Sequence, residues 1–389
     1  MFPSGAWELP SELQQLRETV RRFMETEVRP LEETLPHDAV GLPPELREPL
    51  QQKAKVLGLW CLRTPEEHGG AGLGLLASSI IAEEASKCRM GAYIPACGAF
   101  GSDPPNVIFS GTPAQIEKYA KPMIEGNARA FMAISETTGG SDPARAIRCR
   151  AERDGDSYIL NGTKMWITGA GRADWGVVYA RTGAQGSRGG ISSFIVDADT
   201  PGQSMKPIGV IRSYEPYELT FDNVRIPVEN RLGEDGQGFQ IAEKWLVEGR
   251  VPYAAGTIGV AQRALELAID WARQRETFGK ALADRQAIQW MLADSEIELR
   301  AARLLVWQAA WKADLGQPMK VDASIAKVFA TETAFRVVDR CVQIFGGMGV
   351  AKEMPLERWF RELRIKRIGE GPSEVQRMVV ARSLISGRE

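Results

Sequence analysis

The chain has 389 residues, of which 44% are hydrophobic and 25% charged, and its formal net charge is −2. This composition is that of a folded globular protein, and the length predicts two or three domains. Lysines and arginines are spread along the chain, which argues against nucleic-acid binding and a membrane-surface role. No stretch has the length of a membrane span.

Cysteine and histidine usage narrows the chemistry further. The five cysteines form no CxxC pair, so we expect a reducing compartment in which they are small core residues. His37 and His68 have no partner at metal-ligand spacing, and we expect neither a metal site nor a Ser-His-Asp triad. The N-terminus, MFPSGAWELP, lacks the pattern of a signal or transit peptide, which predicts a cytoplasmic protein.

The first 128 residues are predicted to form helices joined by loops. After Ser11, which we expect to be a helix N-cap, Leu13, Leu16, Val20 and Phe23 recur at helical spacing. LLASSIIAEEASKC is a second helical run. The loop before it, TPEEHGGAGLG, is glycine-rich but follows no strand, so a tight surface connection is favoured over a phosphate-binding loop.

Residues 129–232 change to a pattern of short strands. SYILNGTKMWIT contains two β-rich runs joined by Asn161-Gly162, which predicts a hairpin. WGVVYA, ISSFIV and YELTFDNVRIP continue the strand pattern with little room for helices between them. We therefore predict an antiparallel β domain between two helical ones.

From residue 233 the helical pattern returns and continues to the C-terminus. One apolar stripe at heptad-like spacing predicts a helix of roughly seven or eight turns. It comprises Ile288, Met291, Leu292, Ser295, Leu299, Ala302, Val306 and Ala309. A second long helix is predicted near Asp322 to Phe345, ending at Gly346-Gly347. Helices of this length pack as bundles and often across a subunit interface.

Two segments of the β region combine groups that suit a planar ligand. FMAISETTGGSD offers hydroxyls and backbone N–H groups beside two glycines, although a polar interdomain loop has the same composition. In KMWITG, Trp166 and Thr168 lie on one face of a strand, where an indole and a hydroxyl suit a flavin ring. A strand tryptophan that only packs is the alternative.

Three segments of the helical region raise similar alternatives. Arg275 in RQRETFGK can meet a pyrophosphate, and the glycines of QIFGGMG either allow close backbone approach or only end a helix. No GxGxxG follows a strand, so any dinucleotide is not held by a Rossmann fold. In RIGEGPSEVQR, Glu370 stands between two glycines, which by itself predicts an ordinary turn.

In chain order, six segments resemble the acyl-CoA dehydrogenase family: GLWCLRTPEEHGGAGLG, FMAISETTGGSD, YILNGTKMWITGA, AQRALELAIDWARQRETFGK, QIFGGMG and MPLERWFRELRIKRIGEGPSEVQR. The resemblance covers nearly the whole chain. It implies a mainly helical protein with an N-terminal helical domain (1–128), a middle antiparallel β-barrel (129–232) and a C-terminal four-helix bundle (233–389). It also implies bound FAD and a homo-oligomer, usually a tetramer, with no membrane insertion.

The resemblance further implies which positions contact the ligands. The implied FAD contacts are Met132, Ile134, Ser135, Gly140, Ser141, Trp166, Ile167, Thr168, Arg275, Thr277, Phe278, Arg285, Gln286, Gln343, Ile344, Phe345, Gly346, Gly347, Pro372 and Glu374. The implied acyl-CoA contacts are Ser141, Val247, Arg250, Gly369 and Gly371. In the family the FAD site typically lies across a subunit interface.

The reaction implied is α,β-dehydrogenation of an acyl-CoA thioester, with electrons passed to an electron-transfer flavoprotein. Glu370 falls on the position of the base that removes the α-proton while the β-hydrogen leaves as hydride to flavin N5. The Glu370 backbone N–H and a flavin ribityl hydroxyl then polarise the thioester carbonyl. Some relatives place the base at the position of Gly249, which cannot act, and the adjacent Glu248 is expected to be a surface or ion-pair residue.

Departures from the family pattern leave substrate and activity open. Gly369 stands where members often have Tyr, and Pro372 where they often have Thr. The lost ring predicts open volume near the α-carbon, hence a bulkier or branched acyl group. One alternative is an acyl-CoA oxidase that uses oxygen. Another, suggested by Pro372 and Thr137, is a non-catalytic helical binding or scaffold relative without FAD.

Overall fold

The computed structural model describes residues 8–184 and 189–387. The first seven residues, MFPSGAW, on which the prediction of a cytoplasmic protein partly rests, lie outside the described residues. The chain divides into two compact units. One contains the residues up to Leu59, Leu73–Phe100 and the residues from Glu248, and the other contains Trp60–Gly72 and Gly101–Val247.

The first helices belong to the first unit. They are α1 (Ser11–Phe23), a π-helical continuation (Met24–Val28), α2 (Arg29–Glu32), α3 (Pro44–Val56) and α4 (Leu75–Ala85). Val20 and Phe23 are buried as the apolar spacing predicts. The expected serine cap is wrong, because Ser11 is already the first helical residue and Pro10 holds the N-cap position without a side-chain hydrogen bond.

The second unit contains short helices packed on a sheet. They are α5 (Pro113–Gln115), a π-helical turn (Ile116–Ala120), α6 (Lys121–Glu125) and α7 (Pro143–Ala146). Thr112 and Gln115 form a capping box at the start of α5. Tyr119 and Met123 share a buried cluster with Trp175 of the sheet. These helices therefore pack with the strands, although they precede residue 129 in the chain.

The sheet of the second unit has eight strands. They are β1 (Ala130–Ala133), β2 (Arg150–Asp154), β3 (Ser157–Thr168), β4 (Trp175–Arg181), β5 (Ile191–Asp197), β6 (Gln203–Pro207), β7 (Pro216–Pro227) and β8 (Arg231–Leu232). Their order is β6-β7-β3-β2-β4-β5-β8, with β1 beside β4. The ladders are antiparallel except for β1–β4 and β2–β4. Among the described residues, no ladder joins β6 to β8.

The hairpin predicted at Asn161-Gly162 is wrong. Both residues lie inside β3, which is one continuous strand of 12 residues. Gly162 has a φ of +142°, and the register with β7 shifts between Leu160 and Gly162, so the glycine permits a bulge instead of a turn. The hairpin lies earlier, where Gly155-Asp156 joins β2 to β3 and Gly155 has a φ of +59°.

Long helices form the C-terminal part of the chain. They are α8 (Gly238–Gln274), α9 (Gln286–Asp314), α10 (Lys320–Phe345), α11 (Leu356–Lys366) and α12 (Ser373–Ser386), and a small ladder of β9 (Glu276–Thr277) and β10 (Lys280–Ala281) follows α8. The two long helices predicted from the sequence, α9 and α10, are confirmed. α10 packs against α9, α11 and α12. None of the helices in the described ranges combines the length and apolar character needed to cross a membrane.

Two faces of α9 differ in burial. The predicted stripe is buried from Ser295 to Ala309, while its first members, such as Ile288, are half-buried. A second apolar row at intervals of seven residues is exposed. It consists of Trp290, Ile297, Leu304 and Trp311, whose exposed fractions are 61%, 65%, 44% and 53%.

Candidate active site

Glu370 lies in the turn between α11 and α12 of the first unit. Its side chain is half-buried, and its φ is +55°, a left-handed conformation that is rare for a residue with a side chain. Gly371 follows with a φ of +90°. A Cβ atom at Gly371 would collide with Nε2 of Gln376, so both backbone and space require glycine at this position. Such strain persists only where surrounding contacts impose it.

Three side chains impose the conformation of this turn. Arg250 of α8 donates from Nε to the Glu370 carbonyl oxygen at 3.2 Å. Lys327 of α10 donates from Nζ to the Gly371 carbonyl oxygen at 2.8 Å, and Gln376 of α12 donates to the same oxygen at 3.3 Å. Lys327 and Gln376 were missed from the sequence. The one available signal is for Lys327, a polar residue among the mostly small and apolar residues on the buried face of α10.

The Glu370 carboxylate itself receives no hydrogen bond or ion pair from the described residues. Burial raises the pKa of Glu370 above its usual range, and the nearby charges of Arg250, Lys366 and Lys327 offset that effect only in part. The Glu370 backbone N–H likewise meets no acceptor within the described part of the chain. The turn therefore presents an unpaired, basic carboxylate beside an available N–H donor.

The space beside Gly369 is occupied. A Cβ atom on this glycine would lie 2.9 Å from the hydroxyl oxygen of Tyr253, which stands one helical turn after Arg250 on α8. Lys366 lies over the rings of Tyr253 and Tyr93, with Nζ 4.0 and 4.3 Å from the ring centroids. The tyrosine hydroxyl of another helix thus occupies the place where a side chain at position 369 would begin, and the open volume near the α-carbon stays a prediction.

In the second unit, a buried ion pair positions the segment FMAISETTGGSD. Lys164 of β3, which is 0% exposed, donates to Glu136 at 2.8 Å and to the Ile134 carbonyl oxygen at 3.0 Å. Glu136 also accepts hydrogen bonds from the backbone N–H groups of Arg148 and Cys149. The segment is thereby tied to β3. Glu136 and Lys164 are 28 positions apart, and the sequence offers no signal that they pair.

The strand segment after Lys164 presents an aromatic ring to solvent. Trp166 is 53% exposed and has a φ of +66°, and the register with β7 shifts between Lys164 and Ile167. Thr168 is also exposed and accepts a hydrogen bond from Arg212 at 2.9 Å, whereas the side chain of Ile167 is buried. Both Trp166 and Thr168 are therefore exposed, while the shared face expected for them stays a prediction. Ile167 can offer a ligand only its backbone.

Another exposed aromatic residue follows α8 in the first unit. Phe278 is 98% exposed with a φ of +50°, in the loop between β9 and β10. Arg285 donates to the Thr277 carbonyl oxygen and lies over the Phe278 ring. Arg275 is exposed in the same segment, and Gln286 is the exposed first residue of α9. The segment thus offers an open ring beside cationic groups.

The end of α10 lies next to the end of α8. Phe345 stacks on Trp271 with ring centroids 4.8 Å apart, and the buried Trp271 Nε1–H has no acceptor among the described residues. Cβ atoms at Gly346 and Gly347 would meet no atom within 4 Å, so both glycines leave open space. Gln343 is exposed, whereas Ile344 and Phe345 are buried and could contact a ligand only through backbone atoms.

The remaining predicted contacts are placed as follows. Gly140 and Ser141 are exposed, and Met132 and Ser135 are half-buried. Pro372 is the N-cap residue of α12 and Glu374 is in its first turn. Val247 is half-buried on α8. A Cβ atom at Gly249 would meet open space.

One group of potential metal ligands was not predicted. The ligand atoms of Glu32, Cys88 and Cys97 lie within 4.8 Å of one another in the buried part of the first unit. Glu32 accepts hydrogen bonds from the Met90 N–H and from the Cys97 thiol. A hydrogen bond with Cys88 and burial raise the pKa of Cys97, so the Cys97 thiol is protonated. All five cysteines are buried and unbridged.

Known proteins of one family match nearly the whole chain. The family models for the acyl-CoA dehydrogenase N-terminal, middle and C-terminal domains match residues 10–127, 131–224 and 236–385. The mitochondrial short-chain specific acyl-CoA dehydrogenase of Bos taurus is 40% identical, covering 97% of this chain and 91% of that protein.

The chain belongs to the acyl-CoA dehydrogenase family.

Solved structures support the same assignment. Butyryl-CoA dehydrogenase from Megasphaera elsdenii matches with a TM-score of 0.85 and 34% identity, covering 98% of this chain and 100% of that chain. A chain from a structure of the electron transferring flavoprotein of Acidaminococcus fermentans matches with a TM-score of 0.86 and 33% identity over the same shares. Acyl-CoA dehydrogenases are FAD-dependent oxidoreductases that act on CH–CH bonds, and this protein is one of them.

The residues present fit FAD. Within the second unit, the exposed indole of Trp166 suits stacking. Within the first unit, the open glycines Gly346 and Gly347 allow a ligand to approach the backbone, and the Trp271 N–H lacks an acceptor among the described residues. Arg275 supplies the positive charge that a pyrophosphate needs.

Removal of the Lys164 ammonium tests the ion pair that positions the segment FMAISETTGGSD. In Lys164→Met the Glu136 carboxylate stays buried without its cation, so we expect the free energy of unfolding to fall by about 3–5 kcal/mol. Arg225→Met is the matched control, because it breaks the exposed pair of Arg225 with Asp154 and should cost only about 0–1 kcal/mol. Urea unfolding of both variants measures the difference, and equal effects would contradict the role of burial.

Proposed function

We propose that the protein oxidises a short-chain acyl-CoA to the corresponding 2-enoyl-CoA, with Glu370 as the base. The observation that carries this proposal is the unpaired, half-buried Glu370 carboxylate with a raised pKa. A carboxylate engaged in ion pairs would be too weak a base for a C–H bond. The positions named above for FAD and acyl-CoA contacts belong to the same proposal.

Two groups of Glu370 act on the acyl-CoA, the side-chain carboxylate and the backbone N–H. The Glu370 carboxylate takes the α-proton, so that a C–H bond breaks and an O–H bond forms. Its backbone N–H donates to the thioester oxygen, where negative charge develops as the proton leaves. Bound FAD supplies the acceptor for the β-hydrogen, which leaves with its electron pair. Arg250 keeps the turn in place by donating to the Glu370 carbonyl oxygen.

The proposed substrate follows from Tyr253. Its hydroxyl fills the space beside Gly369, adjacent to the proposed base, and thereby limits the volume near the α-carbon. The relatives named above are a short-chain specific acyl-CoA dehydrogenase and a butyryl-CoA dehydrogenase. Both observations favour a small acyl group over the bulky or branched one that the sequence predicts.

The proposed electron acceptor is an electron-transfer flavoprotein. Support comes from the similarity to a chain in a structure named for such a protein. Direct use of oxygen is the second candidate, and the two are distinguished by comparing oxygen consumption with reduction of the flavoprotein. A cytoplasmic location and domain limits at residues 128/129 and 232/233 stay predictions.

The proposed assembly is a homotetramer, built in part through α9. Its row of Trp290, Ile297, Leu304 and Trp311 exposes large apolar side chains on one face. Exposed apolar rows of this kind mark contacts between proteins. A second copy of the chain is the proposed occupant, because long bundle helices commonly pair across subunit interfaces.

Replacement of Glu370 tests the base. Glu370→Gln should lower the rate constant of flavin reduction by acyl-CoA by about 10²–10⁴-fold. Because the carboxylate form acts and its pKa is raised, the wild-type rate should increase with pH through a midpoint above the usual glutamate range. Anaerobic stopped-flow reduction with butyryl-CoA measures both. Glu248→Gln is the control, and a larger loss in that variant would refute the assignment.

The same substitution has an expected effect on stability. Since burial raises the pKa of Glu370, its ionised form destabilises the folded state at neutral pH. The melting temperature of Glu370→Gln should therefore exceed that of the wild type near pH 7.5, and the gap should close as the pH falls and the wild-type carboxyl protonates. A variant that is less stable at neutral pH would count against an unpaired buried carboxylate.

Truncation of Tyr253 tests the substrate limit. In Tyr253→Val the space beside Gly369 opens, so the ratio of kcat/KM for hexanoyl-CoA to that for butyryl-CoA should rise by about tenfold or more. Tyr253→Phe removes only the hydroxyl and keeps the ring, so the ratio should rise less than in the Val variant. An unchanged ratio in the Val variant would show that Tyr253 does not limit the acyl group.

A charge in the exposed row of α9 tests the assembly. Ile297→Lys should reduce the mass measured by size-exclusion chromatography with light scattering, because it buries a lysine at the proposed contact. Val56→Lys, at another highly exposed apolar residue, should leave the mass unchanged. The same mass in both variants and the wild type would exclude this face as the contact.

A further inference from the structure

Lys327 is a buried lysine without a carboxylate partner. It lies within α10, is 0% exposed, and has no Asp or Glu oxygen within 4.0 Å among the described residues. Lysines are almost never fully buried unless they are paired, because an ammonium ion is costly to remove from water. Retention of this charge in the interior therefore requires a local explanation.

Backbone carbonyl groups surround the ammonium. Lys327 Nζ donates to the Gly371 carbonyl oxygen at 2.8 Å and to the Arg367 carbonyl oxygen at 3.2 Å. Arg367 is the C-cap residue of α11, where unsatisfied carbonyls favour a cation. The Ser373 N–H donates to the same Arg367 oxygen at 3.0 Å. One ammonium thus joins both ends of the turn that contains Glu370.

Charged groups from four helices face this turn. Arg250 of α8 and Lys366 of α11 act on the Glu370 carboxylate together with Lys327 of α10. Glu332 of α10 and Glu374 of α12 act on Lys327. Burial lowers the pKa of Lys327 to about 8, so the ammonium form predominates at neutral pH. The site therefore combines the Glu370 carboxylate with three cations whose charges act on it.

We propose that Lys327 is a positioning residue for proton transfer: its buried ammonium fixes the strained turn from Arg367 to Gly371 and supplies a positive charge close to the Glu370 carboxylate. This inference rests on the proposed role of Glu370 as the base. Lys327 acts through Glu370, since its hydrogen bonds go to the backbone on either side of that residue.

The charge and the hydrogen bonds have separate consequences. The hydrogen bonds hold Glu370 at its positive φ and so direct the carboxylate and the N–H. The positive charge of Lys327 stabilises the ionised Glu370 carboxylate. This interaction is lost once the carboxylate has accepted the α-proton and is neutral. Without the charge, Glu370 stays protonated up to a higher pH and fewer molecules hold an active base at neutral pH.

Two substitutions separate these effects. Lys327→Met removes both the charge and the donors, whereas Lys327→Gln removes the charge and keeps N–H donors for the carbonyls. Lys312→Met is the matched control, because Lys312 pairs with Asp322 between α9 and α10, away from the turn. The measurement is the pH dependence of flavin reduction by butyryl-CoA in anaerobic stopped flow, with FAD content and melting temperature recorded for every variant.

Both Lys327 variants should shift the midpoint of the rising limb upward by about one pH unit. The Met variant should also reduce the limiting rate at high pH more than the Gln variant does, with the concentration of acyl-CoA at half-saturation unchanged. The control should keep the wild-type midpoint. If the Met variant does not fold, the Gln variant alone tests the charge.

The proposal would be overturned if the folded variants keep the wild-type midpoint. A fall in rate or melting temperature alone would not support it, because the loss of a purely structural lysine also lowers both. Failure of the proposed function gives a different result. In that case Glu370→Gln reduces its flavin at the wild-type rate, whatever the Lys327 variants do.

Discussion

The turn between α11 and α12 depends on one constraint: a half-buried carboxylate must be kept in place without a partner that neutralises it. Burial keeps Glu370 basic, and the charges of the surrounding cations limit that effect. The backbone carbonyl groups of the turn accept hydrogen bonds from Arg250, Lys327 and Gln376. The result is a strained, rigid segment with a free acid-base group at its centre, which is the arrangement that proton abstraction from carbon requires.

Features set by local sequence could be predicted well. The apolar spacing of α9 and the glycines after α10 predict both helices because periodicity and caps act over a few residues. Trp166 and Thr168 are both exposed, as strand alternation predicts, although the strand is irregular at Trp166. Asn161-Gly162 misleads because the same dipeptide that suits a turn also suits a bulge, and the pairing of β3 with β7 decides between them.

Features set by distant residues could not be predicted. Gly369 predicts open space when only its own position is considered. The hydroxyl of Tyr253, more than a hundred positions earlier in the chain, lies beside it. Glu136 and Lys164 look like two ordinary charged residues until the fold buries them against each other. Lys327 is a lysine in a long helix, and nothing in its neighbours indicates that it lies close to Glu370. The family resemblance predicts which residue is the base, but it does not predict that Lys327 and Gln376 bind the turn around it.

The double contact made by Lys327 also bears on how this protein can change over evolutionary time. Loops on protein surfaces usually tolerate insertions and deletions because their ends are free to adjust. The turn from Arg367 to Gly371 has no such freedom, since one ammonium spans two of its carbonyls and one added residue would separate them. Its length is therefore fixed by α10, a helix that is distant from the turn in the sequence. Substrate preference can diverge through side chains such as Tyr253, while the number of residues around the base cannot.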